Sequence, residues 1–422
     1  MGNLDETSGG EPAARLPAGP LAGIRVVELA TIVMGPFGGQ LLGDLGADVI
    51  KVETGLGDGS RMMGGGPHPE LSGIALNLHR NKRSIGLDLK RPRGRDVLLG
   101  LLRDADVFIT NLRPGPLRRL HLDYDTIRAD FPRLVYCQAH GFRTSSEEAD
   151  LPAYDDIIQA LTGFPQLNSM GFGAMHFVPS TVADKVAGMF IAQSVLAALV
   201  ARSLAGEGQR VEVPMFDAAL AFNLVEHLSR AAVAGEPAGY NRVLTAHRGP
   251  HRTSDGWVAM LPYTDAHWTA LFTAVGEERL LEHEWFADHR ARLRYADEVY
   301  GLLASILVRK TTAEWVQLGV DLGIPVSVVP PLQDIVDDPA HHRGVLRDAE
   351  HPVVGPFRSI AQPVVYSASG QRQHAPAPLV GQHTEQILAE LGLDDDEIAA
   401  LIADRVVRPP RTARSDDVPT QS

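Results

Sequence analysis

The chain has 422 residues, which at about 100–200 residues per domain predicts two or three domains and a sizeable core, so a small disulfide-stapled scaffold is excluded. Thirty-nine Lys and Arg against 52 Asp and Glu leave a net charge of −13, which argues against a dedicated nucleic-acid binder. The one cysteine, Cys137, excludes internal disulfides and Cys-cluster metal sites and fits a reducing cytoplasm. It sits in the apolar run 134–137, where it reads as an inert core thiol rather than a nucleophile.

Residues 1–20 have neither periodicity nor the basic start and apolar core of a signal peptide; with 404–422 they read as mobile termini. From 21 to 140, apolar runs at 24–29, 49–52, 84–87, 107–110 and 134–138 alternate with helical stretches such as 37–45 and 96–103. That alternation predicts an α/β fold of βαβ units on a mostly parallel sheet. Pro36 and Pro92 suit first helical positions, and Gly46 suits a helix stop. The triplet Gly64-Gly65-Gly66 reads as a mobile loop.

A long helix is expected from Asp184 to about 203, stopped by Gly206-Glu207-Gly208, then a strand at 210–213 and a helix at 218–234. Its apolar stretch, 186–201, contains Gln193 and Ser194 and is shorter than the roughly 20 residues a bilayer demands, so it predicts a core helix and no membrane span. From 236 the chain changes character, with a Pro- and Gly-rich entry, a turn at Ser254-Asp255-Gly256 and several short helices, the pattern of a second, smaller domain reaching about 330. A helical pair is expected at 385–391 and 395–403.

Strand, glycine-bearing turn, helix and a second strand ending in Glu53 suggest a dinucleotide site, but Gly35, Gly38 and Gly39 do not give the G-x-G-x-x-G spacing, so NAD and FAD are not expected. Residues 80–119 hold eleven Lys and Arg and four acids, a local +7 in an acidic chain. Placed at strand ends of an α/β sheet, that charge would suit a phosphorylated ligand; as a solvated basic face it would bind none. The histidines show no metal-ligand spacing, and the adjacent His341 and His342 do not share a face, so no metal is expected.

Several segments together resemble the class III CoA-transferases, the group that also holds the α-methylacyl-CoA racemases. They are Leu21-Ala22-Gly23-Ile24-Arg25-Val26-Val27-Glu28-Leu29, Gly35-Pro36, Leu45-Gly46-Ala47-Asp48-Val49-Ile50-Lys51-Val52-Glu53, Asn81-Lys82-Arg83-Ser84-Ile85-Gly86-Leu87-Asp88-Leu89-Lys90 and Asn111-Leu112-Arg113-Pro114-Gly115. Similar stretches continue through Tyr154-Asp155, Val182-Ala183-Asp184, 253–257, Gly323-Ile324-Pro325 and Gly381-Gln382-His383-Thr384-Glu385, covering about 21–403 in order. The resemblance implies a Rossmann-like large domain from 21–205 and 340–403, a connecting strand and helix at 206–235, a small domain at 236–330, and an interlocked homodimer. It implies acyl-CoA and a carboxylic acid as substrates, with no tightly bound cofactor; charge and hydropathy, as above, leave no nucleic-acid or membrane partner expected.

By resemblance Asp184 is the nucleophile, attacking the thioester to give an aspartyl anhydride and a CoA thiolate. Read from the residues alone, it precedes an apolar helix whose N–H groups and dipole should keep it ionised at neutral pH, and capping that helix is its ordinary role; the two roles are compatible. The resemblance also places Leu87, Lys90, Asn111, Leu112 and Arg119 around the nucleotide of CoA, and Val33, Met34, Ala153 and Tyr154 along the pantetheine arm. Related racemases carry a histidine where this chain has Tyr154, and a phenol with an ordinary pKa of about 10 is a poor base at neutral pH, so transfer is favoured over epimerisation. His140 stands where the family has a small residue and offers an imidazole for the alternative; a catalytically idle CoA-binding protein is the third reading. The formyl-CoA subgroup has glutamine at the position of Val33, so oxalate and formate are not expected. The basic segment 245–252 fits either a carboxylate contact or a solvated connection.

Overall fold

Six runs form parallel strands: β1 (Arg25–Leu29), β2 (Asp48–Glu53), β3 (Lys82–Leu87), β4 (Val107–Thr110), β5 (Val135–His140) and β6 (Arg210–Pro214). The computed structural model describes residues 19–370 and 374–410, so most of the expected mobile termini lie outside the described residues. The helices up to β6 are α1 (Met34–Asp44), α2 (Gly73–Leu78), α3 (Pro92–Arg103), α4 (Pro114–Arg119), α5 (Tyr124–Ile127), α6 (Asp155–Leu161), α7 (Phe164–Phe172) and α8 (Val182–Ala205). After β6 come α9 (Met215–His227), β7 (His251–Arg252), β8 (Trp257–Met260), α10 (Asp265–Val275), α11 (His289–Arg294), α12 (Ala296–Leu307) and α13 (Thr312–Asp321). The chain closes with β9 (Val326–Val328), α14 (Leu332–Asp337), α15 (Pro339–His342), β10 (Leu346–His351), β11 (Gly355–Ile360), α16 (Thr384–Glu390), α17 (Asp395–Ala403) and β12 (Val407–Arg408).

Internal contacts group these elements into two units. The first takes in the described residues up to Ile158, Thr181–Ala219 and those from Gly344 onward; the second takes in Gln159–Ser180 and Leu220–Arg343. This division differs from the expected boundaries: 159–180 and 220–235 group with the second unit, which runs on to Arg343 rather than to 330, and 210–214, expected in a connecting segment, is a strand of the main sheet. The helix expected at 218–234 ends at His227 and is followed by a 3₁₀ turn over Ser229–Ala232.

In the first unit the sheet order is β12-β3-β2-β1-β4-β5-β6. β12, antiparallel to β3, comes from residues expected to be mobile; two residues carry no periodicity by which composition could reveal them. The two faces of the sheet differ in chemistry. Val27, Leu29, Ile50, Val52, Ile85 and Leu87 join one apolar core with α3, α16 and α17. The alternate residues Glu28, Lys51, Glu53 and Ser84 are also buried, although such alternation ordinarily marks a wetted face.

These polar residues satisfy one another. Lys51 Nζ donates to Glu28 Oε1 at 2.8 Å and to the Ala30 carbonyl at 2.9 Å, and pairs with Asp58 Oδ2 at 2.8 Å. Lys82 Nζ donates to Glu28 Oε2 and to the Pro36 carbonyl, both at 2.7 Å. Arg61 grips both oxygens of Glu53 at 2.7 Å, and Ser84 Oγ donates to the second of them. Burial opposes charge on Lys51, yet Asp58 and Glu28 hold its pKa above the ordinary lysine value. Lys82 is drawn down to about 8, by burial first and then against the support of Glu28.

The glycines of α1 let helices and charges approach closely. A Cβ on Gly38 would stand 2.6 Å from Ile191 of α8, one on Gly188 of α8 would stand 2.8 Å from the Phe37 ring, and one on Gly39 would stand 1.9 Å from Glu28 Oε2. Gly64 and Gly65 adopt positive φ, and the Gly65 carbonyl accepts from Gly73 N–H at the start of α2. At 24 residues α8 is longer than its expected apolar stretch and is long and apolar enough to cross a membrane by length and composition; here it packs on α1, β5 and β6.

The second unit packs α10, α12 and α13 around Trp268, Phe272, Phe286 and Trp315 beside the small antiparallel sheet β7-β8-β9. Within it Thr245 hydrogen-bonds Asp297, and the Arg252 guanidinium lies over the Trp257 ring at 4.4 Å, so part of the 245–252 segment is engaged internally.

Because Glu28 is pinned by two lysines, it cannot move aside for a new methyl group. Gly39→Ala should cost about 1–3 kcal/mol in denaturant unfolding. Gly100→Ala, in α3 with only an ordinary contact at 3.7 Å, should instead stabilise by about 0.5–1 kcal/mol.

Candidate active site

In the order β3-β2-β1-β4-β5-β6, the chain leaves β1 toward one side and reaches β4 on the other, which opens a crevice beyond the carboxyl ends of these two strands. Thr31 and Asn111 bridge that crevice. Thr31 N–H donates to Asn111 Oδ1 at 3.0 Å, and Asn111 Nδ2 donates to the Thr31 carbonyl at 2.7 Å.

A cavity of about 260 Å³ opens there. Thr31, Ile32 and Met34 line it after β1, Asn111, Leu112 and Arg113 after β4, and His140 and Gly141 at the end of β5. Ala153 and Tyr154 line it before α6, Asp184 in the first turn of α8, and Met215 after β6.

Asp184 differs from expectation in two ways. It is the third residue of α8 and not the cap; Thr181 occupies the N-cap without a side-chain cap bond. Its backbone N–H, one of those a helix start leaves unpaired, goes to Asp155 Oδ1 at 3.1 Å. It is also 7% exposed, and burial, reinforced by the charge of Asp155, raises its pKa to about 7 against a smaller opposing effect of Lys185. The helix start therefore does not hold this carboxyl fully ionised at neutral pH, as the sequence suggested.

His140 is 2% exposed, and neither of its ring nitrogens has a hydrogen-bond partner among the described residues. Burial lowers its pKa against the charge of Glu212, so the ring is neutral. Burial likewise pushes the Cys137 thiol up to about 12, which suits an inert core residue.

A second cavity, of about 770 Å³, is lined by Glu53, Thr54 and Gly55 after β2, by residues 86–90 at the end of β3, and by residues 405–409 around β12. Leu112 and Pro116 line both cavities. Lys90 and Arg405 are exposed and their side chains have no partner among the described residues. Arg408 is held by the Gly55 carbonyl and faces Glu70 at 3.5 Å.

Of the residues singled out in the sequence, Met34, Asn111, Leu112, Ala153 and Tyr154 share the first cavity with Asp184, while Leu87, Lys90 and Leu112 line the second. Val33, buried ahead of α1, and Arg119, the last residue of α4, line neither. Thr31 and Ile32 line the first cavity and Arg405 and Arg408 the second, and no sequence motif points to them.

The basic island is neither a phosphate clamp as a whole nor a solvated face. Arg80 is spent on Asp44, Lys82 on Glu28, Arg83 on Asp48 and Glu390, and Arg93 on Asp404. Arg113 and Arg118 engage Asp150. The motif at 381–385 is also structural: His383 Nδ1 accepts from Ser84 N–H, and Thr384 Oγ1 links Gly86 to the Arg408 carbonyl.

The mixed α/β fold thus places a buried carboxyl group and two cavities with shared lining beyond the strand ends. The model of CoA-transferase family III matches residues 21–384, and the chain belongs to that family. It is 31% identical over 386 residues to the succinate–glutarate CoA-transferase of Agrobacterium fabrum, covering 88% of this chain and 96% of that protein. It is also 31% identical over 399 residues to the succinyl-CoA–L-malate CoA-transferase beta subunit of Chloroflexus aurantiacus, covering 92% and 98%. The crystal structure of a CAIB/BAIF family protein from Brucella suis matches with a TM-score of 0.75 at 28% identity, over 89% of this chain and 100% of that one.

With its folded pKa raised from 3.8 to about 7, the Asp184 carboxyl keeps a proton that the unfolded chain has lost at the pH values between. The stability it contributes is present below pH 4 and lost as pH rises through 7. Asp184→Asn should therefore gain stability over the wild type across that interval, by on the order of a few kcal/mol at pH 8 in denaturant titrations. Asp155→Asn, which keeps an oxygen acceptor but removes the charge, should shrink that pH dependence.

Proposed function

We propose that this protein transfers CoA from an acyl-CoA to a carboxylic acid through covalent acylation of Asp184. The observation that carries the reading is a buried carboxyl with a pKa of about 7, lining a cavity that shares Leu112 and Pro116 with a larger one bearing unpaired cations. A carboxylate of that basicity is a stronger nucleophile than an ordinary aspartate and is still substantially ionised at neutral pH.

In the first step an Asp184 oxygen forms a bond to the thioester carbonyl carbon, and the C–S bond breaks with departure of CoA thiolate. Thiolate attack on the Asp184 carbonyl then releases the first acid and leaves CoA on the enzyme. The second carboxylate displaces that thiolate, forming a new anhydride, and thiolate attack on its acyl carbon gives the new thioester and restores the carboxylate. Each step makes one acyl bond and breaks another without water. Burial of Asp184 supports that economy, since anhydrides hydrolyse readily when wet.

The larger cavity would take the nucleotide of CoA, with Lys90 and Arg405 facing its phosphates. The reading includes an interlocked homodimer, supported by the exposed apolar side chains Met189, Val200 and Leu204 on α8. It also includes a cytoplasmic location, supported by a single, unbridged cysteine. One observation favours a second reading, epimerisation at the α-carbon: a neutral imidazole, His140, lines the same cavity as Asp184, which supplies two acid–base groups.

Incubation with acyl-CoA donors and free acids should yield acid-dependent thioester exchange. Hydroxylamine should trap the acyl enzyme, with mass spectrometry locating the modification at Asp184. Asp184→Ala should abolish both, and α-deuterium exchange independent of any acid would favour epimerisation instead. Lys90→Ala and Arg405→Ala should each weaken CoA binding about three- to ten-fold in calorimetry, more at low salt, while leaving binding of a pantetheine thioester unchanged.

A further inference from the structure

Ile32, in the loop between β1 and α1, has a φ of +70°. A β-branched side chain is crowded by its own backbone in that region, so the surroundings must hold it there. Its N–H donates to Oδ1 of Asp58 at 2.8 Å, an oxygen that also accepts from Ser60 N–H at 2.9 Å. Asp58 is 2% exposed, and its other oxygen is paired with Lys51. Lys51 in turn is tied to Glu28 and to the carbonyl of Ala30, at the opening of the same loop. Thr31 is fixed by Asn111, and the Val33 carbonyl accepts from Phe37 N–H in α1.

Every residue from 30 to 33 is thus fastened through its backbone, and the one in an unfavourable conformation is fastened by Asp58. Thr31 and Ile32 line the Asp184 cavity, whereas Asp58 does not. We propose that Asp58 is a positioning residue of the active site, latching Ile32 in its left-handed conformation so that the β1–α1 loop forms the cavity wall facing the acyl thioester. The latch rests on the reading of that cavity as the acyl-CoA site. A buried carboxylate that served only the fold would have no need to end on the strained residue of the cavity wall. Glycine adopts a φ of +70° without crowding, so a loop with glycine in place of Ile32 should need the latch much less.

The test is a double-mutant cycle of Asp58→Ala and Ile32→Gly in the full chain, read on acyl-CoA dissociation constant, on kcat/KM for CoA exchange and on amide hydrogen exchange across 30–34. With isoleucine retained, Asp58→Ala should speed exchange at the Ile32 amide and weaken acyl-CoA binding and kcat/KM, each by about ten-fold or more. In the Ile32→Gly background the same substitution should cost under about three-fold. Asp58→Asn, which keeps an oxygen acceptor, should fold and leave the Ile32 amide protected even if Asp58→Ala does not fold. Equal costs of Asp58→Ala in both backgrounds, or a fast-exchanging Ile32 amide in the wild type or in folded Asp58→Asn, would overturn the proposal. A wild type that binds acyl-CoA without exchanging it would fail the transferase reading alone, because the affinity cycle still decides the latch.

Discussion

The ion cluster of Glu28, Lys51, Asp58 and Lys82, sealed between the sheet and α1, is the constraint on which the first unit depends. Removing one member would strand an opposite charge away from water, an outcome costing about 3–5 kcal/mol, far more than an exposed pair would. The cluster is also directional. Lys51 ties β2 to β1, Lys82 ties β3 to β1 and to the first turn of α1, and Asp58 ties the segment after β2 to the loop after β1. The three strands and the helix therefore meet in one relative placement, and that placement brings the β1–α1 loop to the crevice beside β4.

At Asp184 the same competition between burial and charge has the opposite outcome. Among the described residues no cation comparable to Lys51 reaches it; its near neighbour in charge is Asp155, and the opposing effect of Lys185 is smaller. The positive end of α8 favours the anion, but a helix dipole at its first turn is worth about 0.3–1 kcal/mol in ordinary settings, less than the desolvation of a carboxylate. The fold thus stabilises the buried acids that hold its frame and leaves one buried acid poised near neutrality. That contrast, within one unit, sets the buried frame apart from the cavity that Asp184 lines.

The parallel strands were legible because their apolar runs recur at βαβ spacing, and 107–110 coincides with β4 and 395–403 with α17. What local pattern could not reveal lies between distant residues. The raised pKa of Asp184 comes first from its burial and then from Asp155, 29 positions away, whereas the residues beside it in sequence speak only of a helix start. Glu28, Lys51 and Ser84 fall inside runs that read as apolar, and the close approach of Gly39 of α1 to Glu28 shows how tightly the helix covers that buried polar group. Gly38 and Gly39, which lack the spacing of a dinucleotide turn, serve close packing. The charge count at 80–119 was correct, but it could not tell that Asp44, Asp48, Asp150, Glu390 and Asp404 consume much of it.

β12 is the one antiparallel neighbour in the seven-stranded sheet, and it lies beyond the span matched by the family model. Its two residues cover the outer rim of β3, whose unpaired amides and carbonyls would otherwise be a template for a strand from another molecule. The same short stretch supplies Arg405 and Arg408 to the larger cavity. Guarding the rim against self-association and dressing the cavity with cations are thus jobs of one segment, and a chain cut short there would forfeit both together.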